Sequence, residues 1–160
     1  MKKYLLYCMA AYMVLQIAVL SFAVFRYYDT LMTGTGYKFL VRQYDPYDPF
    51  RGRFVALQVD GLSRWSRDPY ATVAVDAQGF AYIYSTSIDK PHAHDVYLKN
   101  PDLSRYYMNE RLAPEAERLQ RELRDGEQMW LLVMVKNGNY VIEGLYLDGV
   151  RVEEYITGRG

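Results

Sequence analysis

The chain opens on an unbroken apolar run. Met1-Lys2-Lys3 precedes Tyr4 to Phe25, 22 residues without a charge. At 1.5 Å rise per residue, a helix of that length spans about 33 Å, enough for the hydrocarbon core of a bilayer. Tyr4 and Tyr7 stand at one end and Tyr27 and Tyr28 at the other, as in an interfacial aromatic belt. Lys2 and Lys3 favour an N-terminus on the inside, and Arg26 weakens that bias. A cleavable signal peptide is the rival, because Ser21-Phe22-Ala23 sets small residues at −3 and −1 of a cleavage point. The run is longer than a usual signal core, and no turn-forming residue breaks it before Ser21, so a retained anchor is expected. Tyr12 and Gln16 lie four apart on one helix face, with Ala23 along the same stripe. An amide in mid-membrane is costly without a partner, so this face is a candidate for packing on another membrane helix; the alternative is that one amide is tolerated in an otherwise strongly apolar span.

Beyond residue 28 the pattern changes to alternation. Asp29 to Gly36 reads as a short polar linker, and Tyr37 to Tyr44 as a strand with Phe39 and Val41 on one face and Lys38 and Arg42 on the other. Further strands are predicted over Phe54–Asp60, Ala71–Asp76, Gly79–Thr86 and Asp95–Lys99, with Arg105–Glu110 extended. Asp76-Ala77-Gln78-Gly79 reads as a hairpin turn. Ala113 to Arg124 is the one convincing soluble helix, with Pro114 in its first turn and Leu112, Ala116, Leu119 and Leu123 as its apolar stripe. Met129 to Val135 reads as a central strand buried on both sides. Lys136-Asn137-Gly138-Asn139 and Asp148-Gly149 then fold Tyr140–Leu147 and Val150–Ile156 into a closing meander. The expected fold is mainly β (α+β): one N-terminal transmembrane helix, then an antiparallel β sandwich or partial barrel carrying one amphipathic helix. Residues 1–28 form the anchor and residues 29–160 an extracytoplasmic β-rich domain.

Composition narrows the function classes. Lys and Arg together balance Asp and Glu, so no basic footprint for nucleic acid exists. Cys8 is the only cysteine, which excludes an internal disulfide framework. The 17 tyrosines suit half-buried sheet surface and a membrane boundary.

The densest local signal is Asp45-Pro46-Tyr47-Asp48-Pro49-Phe50-Arg51-Gly52-Arg53, running into Phe54-Val55-Ala56-Leu57-Gln58-Val59. Pro46 and Pro49 fix φ and push the preceding aspartates toward extended geometry, and Gly52 is free to turn. Gly52 to Val59 resembles the signature of the GDYXXLXY family, small membrane-anchored bacterial proteins without an assigned activity. Gly52 and Leu57 match strictly, whereas Arg53, Phe54 and Val59 replace the signature Asp, Tyr and final aromatic. Arg105-Tyr106-Tyr107-Met108-Asn109-Glu110 followed by Glu117 is similar to the family's aromatic-then-Glu segment, and Met129–Gly149 to its closing hairpins. The resemblance implies a partner class as well, since family members look associated with multi-span membrane proteins.

Candidate chemistry is sparse. His92-Ala93-His94-Asp95 is the only metal-like cluster: in an extended segment His92 and His94 point the same way and Asp95 could add a third ligand, but chance occurrence of His-x-His next to Pro91 in an exposed loop is the better explanation. Asp45, Asp48, Glu110 and Glu117 offer carboxylates for acid/base work, but turn chemistry and pairing with Arg51 account for them more simply. No nucleophile motif, phosphate-binding glycine loop or CxxC is present. The expected function is a non-enzymatic, membrane-tethered interaction module of the bacterial envelope, without a cofactor, partnering a multi-span membrane protein. The alternatives are a metal- or carboxylate-dependent envelope hydrolase and a small-ligand sensor.

Overall fold

A computed structural model describes residues 2–42, 54–59, 68–92, 94–123 and 126–158. The apolar run is a single helix, α1 (Lys2–Thr33), and the chain enters strand β1 (Thr35–Arg42) one residue later. The polar linker expected over Asp29–Gly36 is therefore corrected. No glycine or proline interrupts the helix before Gly34, and the Thr33 hydroxyl donates back to the Asp29 carbonyl at 2.7 Å.

The remaining elements are β2 (Phe54–Ala56), β3 (Gln58–Val59), β4 (Tyr70–Val75), β5 (Phe80–Ser87), β6 (Tyr97–Lys99), β7 (Arg105–Tyr107), α2 (Ala113–Arg121), β8 (Met129–Lys136), β9 (Asn139–Leu147), β10 (Val150–Arg151) and α3 (Val152–Thr157). The main sheet runs β10-β9-β8-β1-β5-β4-β6, with β3 added on β1, and β2 and β7 form a separate two-stranded sheet. All pairs are antiparallel except β1 with β5, which meet at Lys38↔Phe80 and Phe39↔Ala81. The sheet is open, yet it curls. The Lys99 amide donates to the Gly138 carbonyl at 2.9 Å, so the β6 edge returns to the β8–β9 turn.

Turn chemistry sets this topology. Asn137 and Gly138 take φ of 52° and 79°, and Asp148 and Gly149 take 47° and 89°. Both pairs thus have the doubly positive φ of two-residue hairpin turns whose twist matches the flanking strands. Asp76 closes the β4–β5 hairpin by accepting the amides of Gln78 and Phe80 on Oδ1 at 2.9 and 2.8 Å.

One face of the sheet is the core. Phe39, Leu131, Val133 and Leu145 are wholly buried there and pack with Leu57, Leu103, Tyr106, Ala116 and Val152. Burial alternates along β8, and Trp130, Leu132 and Met134 on its outer face are half-covered, so the expected two-sided burial is realised on one side only. Trp130 stands beside Phe80 and Tyr146 on that outer face, with the Lys38 ammonium 5.5 Å from its ring.

Two strand expectations change. Val150–Ile156 was expected as a strand, but only Val150 and Arg151 pair before the chain becomes α3. Val152, Tyr155 and Ile156 all reach the core, an i, i+3, i+4 spacing that a helix satisfies and a strand does not. The Glu153-Glu154 doublet then sits in the first turn, where it complements the helix dipole. The strand expected over Phe54–Asp60 is divided at Leu57: its amide donates to the Ser104 carbonyl at 2.9 Å, continuing the β2–β7 register, and from Gln58 the chain pairs with β1 instead.

Candidate functional site: the joint between helix and sheet

Among the described residues, α1 is bare along its apolar length and is fastened to the domain at its C-terminal end. The segment Tyr7–Thr33 has a mean hydropathy of 2.1, long and apolar enough to cross a membrane, and its most apolar window is 0% buried within the chain. Tyr12, Gln16 and Ala23 are all exposed. The face they form continues through Arg26 to Thr30 at helical spacing. There it meets the domain.

The β8–β9 hairpin holds that end. Lys136 Nζ donates to Asp29 Oδ1 and Oδ2 at 2.7 and 2.8 Å and to Thr33 Oγ1 at 2.7 Å. Arg26 Nη2 donates to Asn139 Oδ1, and Thr30 is 3% exposed. Gly34 permits the close approach, since a Cβ there would run into the Thr30 carbonyl and lie 3.2 Å from the Val135 backbone. The two-residue turn at Asn137-Gly138 makes Lys136 and Asn139 direct cross-strand partners, so one hairpin tip presents both to the helix. The Asp29–Lys136 pair is about one-third exposed, so it contributes orientation more than stability.

A second polar cluster closes the sheet edge. Tyr106 on β7 donates from its hydroxyl to Glu153 Oε1 on α3 at 2.5 Å. Arg151 on β10 lies 3.5 Å from both Glu153 Oε2 and Glu143 Oε1, and Nη2 donates to the Glu143 carbonyl at 2.9 Å. Tyr146 donates to Glu143 Oε2 at 2.7 Å. Burial, then the neighbouring Glu153 carboxylate, pushes the Tyr106 phenol up to about 12. The Glu143 hydrogen bond raises Tyr146, and the Tyr106 hydroxyl raises Arg151. Glu153 Oε2 is buried without a hydrogen bond and keeps only its ionic contact with Arg151. Two carboxylates face this guanidinium, and the cluster binds β7, β9, β10 and α3 to one another.

The residues singled out by sequence fall in several places. Asp45, Pro46, Asp48, Pro49, Arg51 and Gly52 lie outside the described residues. Phe54 opens β2 opposite Tyr107, and Leu57 is 2% exposed in the core, a packing role for the signature leucine. Glu110 is exposed in the turn before α2, where Asn109 rather than Glu110 braces the helix start by accepting the Arg111 amide at 3.0 Å. His92, His94 and Asp95 are exposed. Asp95 Oδ2 accepts the His92 amide at 3.2 Å, and among the described residues no group of three His, Cys, Asp or Glu side chains is placed to hold a metal ion. Sequence reading missed both polar clusters. The signals were there: Asp29 and Thr33 share a helix face, and Lys136 and Asn139 flank a tight turn.

A long N-terminal apolar helix running without a linker into a mixed, mostly antiparallel open sheet with two short helices defines a β-rich class of protein. Within it, residues 16–145 match the family described as GDYXXLXY protein, and the chain belongs to that family. No curated protein and no solved structure matches the chain.

Proposed function

We propose that the protein is a non-enzymatic interaction module tethered to the bacterial cytoplasmic membrane, with α1 crossing the bilayer, its N-terminus inside and the β-rich domain outside. Its partner is a multi-span integral membrane protein that seats a helix on the Tyr12–Gln16–Ala23 face. The observation carrying this reading is the contrast along α1. Gln16 lies within an apolar span whose side chains have no cover from their own chain, whereas the same face is locked to the domain from Arg26 onward. Lipid can cover the apolar residues, but the Gln16 amide needs a hydrogen-bonding neighbour in the bilayer. Because the joint fixes the domain on the helix, a partner on this face also meets the domain in one orientation.

Photo-crosslinking in the native membrane tests this reading. A crosslinker at Gln16 or Ala23 is expected to capture one integral-membrane protein, and a crosslinker at Val14, about 200° around the helix from Gln16, is expected not to. Equal capture from both faces, or lipid adducts alone, contradicts it.

A further inference from the structure

We infer that the partner helix seated on the Tyr12–Gln16–Ala23 face ends at headgroup depth, below Thr30, and that the polar connection leaving it docks on Tyr27 and the β8–β9 tip. The inference rests on the transmembrane reading of α1 and on the partner proposed above.

Helical geometry sets the limit. Thr30 follows Tyr12 by 18 positions, about five turns at 3.6 residues each, so the two lie on one line along α1. Tyr12 is 62% exposed, whereas Thr30 is 3% exposed. The last turns of α1 pack on β8 and β9, and a Cβ at Gly34 would lie 3.2 Å from the Val135 backbone. A helix packed beside α1 needs its axis about 8–10 Å away. At Thr30 the domain already fills that space. Thr30 is about 21 Å along the axis from Gln16, and the common crossing angle of about 20° carries a neighbouring helix only about 7 Å aside over that length. That falls short of the breadth of a two-stranded hairpin, about 10 Å. A straight partner helix therefore stops below Thr30. The same limit excludes a second copy of this chain packed in parallel, because its own domain would stand at the same height on the same face.

A helix that stops there leaves unpaired backbone groups at its end. The chain offers polar neighbours at that depth. Charge-free sequence ends at Phe25, and Arg26 to Thr33 rise through roughly the next 12 Å, the depth of the headgroup layer. Tyr27 lies about 20° round the helix from Gln16. It is 50% exposed and carries a hydroxyl that both donates and accepts. Asn137 is exposed at the hairpin tip. Arg26, next to Tyr27, donates to Asn139, two residues after Asn137, so Tyr27 and Asn137 flank one contact between helix and hairpin.

The test places a benzophenone amino acid at Tyr12, Phe25, Tyr27 or Asn137 of the full chain in its native membrane and maps the adducts by peptide mass spectrometry. The Tyr12 adduct is expected within a membrane helix of one multi-span protein. Tyr27 and Asn137 are expected to capture the same protein at or beyond the outer end of that helix, about 15–20 residues along its sequence from the Tyr12 adduct. Phe25, about 180° round the helix from Gln16, should capture it at least about fivefold less. Benzophenone replaces Tyr27 ring for ring, so this readout stands even where the tight turn rejects the label at Asn137. No protein captured from Tyr12, or equal capture from Phe25, overturns the partner reading and this inference together. Capture from Tyr12 overturns this inference alone when Tyr27 maps to the interior of the same helix, to a second copy of this chain, or to lipid only.

Discussion

α1 and β8 are both strings of large apolar residues, and the chain treats them oppositely. β8 pairs with β1 on one side and β9 on the other, and it buries Met129, Leu131, Val133 and Val135 in the core. Its backbone and its side chains are completed by its own chain. α1 satisfies its backbone internally, as a membrane requires, but Leu15, Ile17, Leu20 and Phe22 are each more than 60% exposed. Apolarity alone therefore does not separate core from anchor. Length and the absence of any charge from Tyr4 to Phe25 do, and no described part of the domain covers the most apolar window of α1.

That contrast can be broken first at its strongest point. Leu131→Ala removes a wholly buried side chain and should destabilise the domain by about 3–5 kcal/mol, whereas Leu15→Ala should leave domain unfolding unchanged. Denaturant titration of the full chain in detergent, followed by the fluorescence of neighbouring Trp130, reads both. Similar losses would mean that α1 is part of the folding core.

The sheet edge gives the next effect. Tyr106 keeps its proton in the folded state up to about 12, above the ordinary value of 10.0. Between those values unfolding releases a proton, so stability falls as pH rises from about 10 to about 12, by roughly 2–3 kcal/mol in total. Tyr106→Phe should flatten that part of the stability–pH curve and cost about 1–2 kcal/mol at neutral pH, because Glu153 Oε1 loses its donor. An unchanged alkaline slope would show that the phenol is not held as described.

At the joint, smaller changes separate stability from orientation. Gly138→Ala should cost about 2 kcal/mol, because φ is 79° and the added Cβ meets the Tyr97 ring. Lys136→Met should cost less than about 1 kcal/mol, the usual scale for a partly exposed ion pair. It should nevertheless broaden spin-label distance distributions between α1 and β9. A narrow distribution in the variant would assign the rigidity to Thr30 and Gly34 instead.

Much of this was legible in the residues, for identifiable reasons. The helix followed from 22 charge-free residues, and the hairpins from Asn137-Gly138 and Asp148-Gly149, because each signal is local and has a single good solution. The missed features depend on distant partners. Asp29–Thr33 looked like linker because its partner, Lys136, lies 107 positions from Asp29. Val150–Ile156 looked like a strand because Val150 and Val152 alternate, whereas the positions that meet the core are Val152, Tyr155 and Ile156. Of the candidate sites, Gln16 was readable as an amide in an apolar run, but the Tyr106–Arg151–Glu153 cluster joins elements that only the fold brings together.

The most direct measurement is purification of the full chain from its native membrane in mild detergent, comparing wild type with Gln16→Leu for co-purifying proteins. A stoichiometric multi-span membrane protein with the wild type, reduced by at least about fivefold with the variant, is the predicted result, since losing one intramembrane hydrogen bond of about 1 kcal/mol or more shifts occupancy on that scale. The same yield of partner from both samples, or no integral-membrane partner in either, would contradict the account.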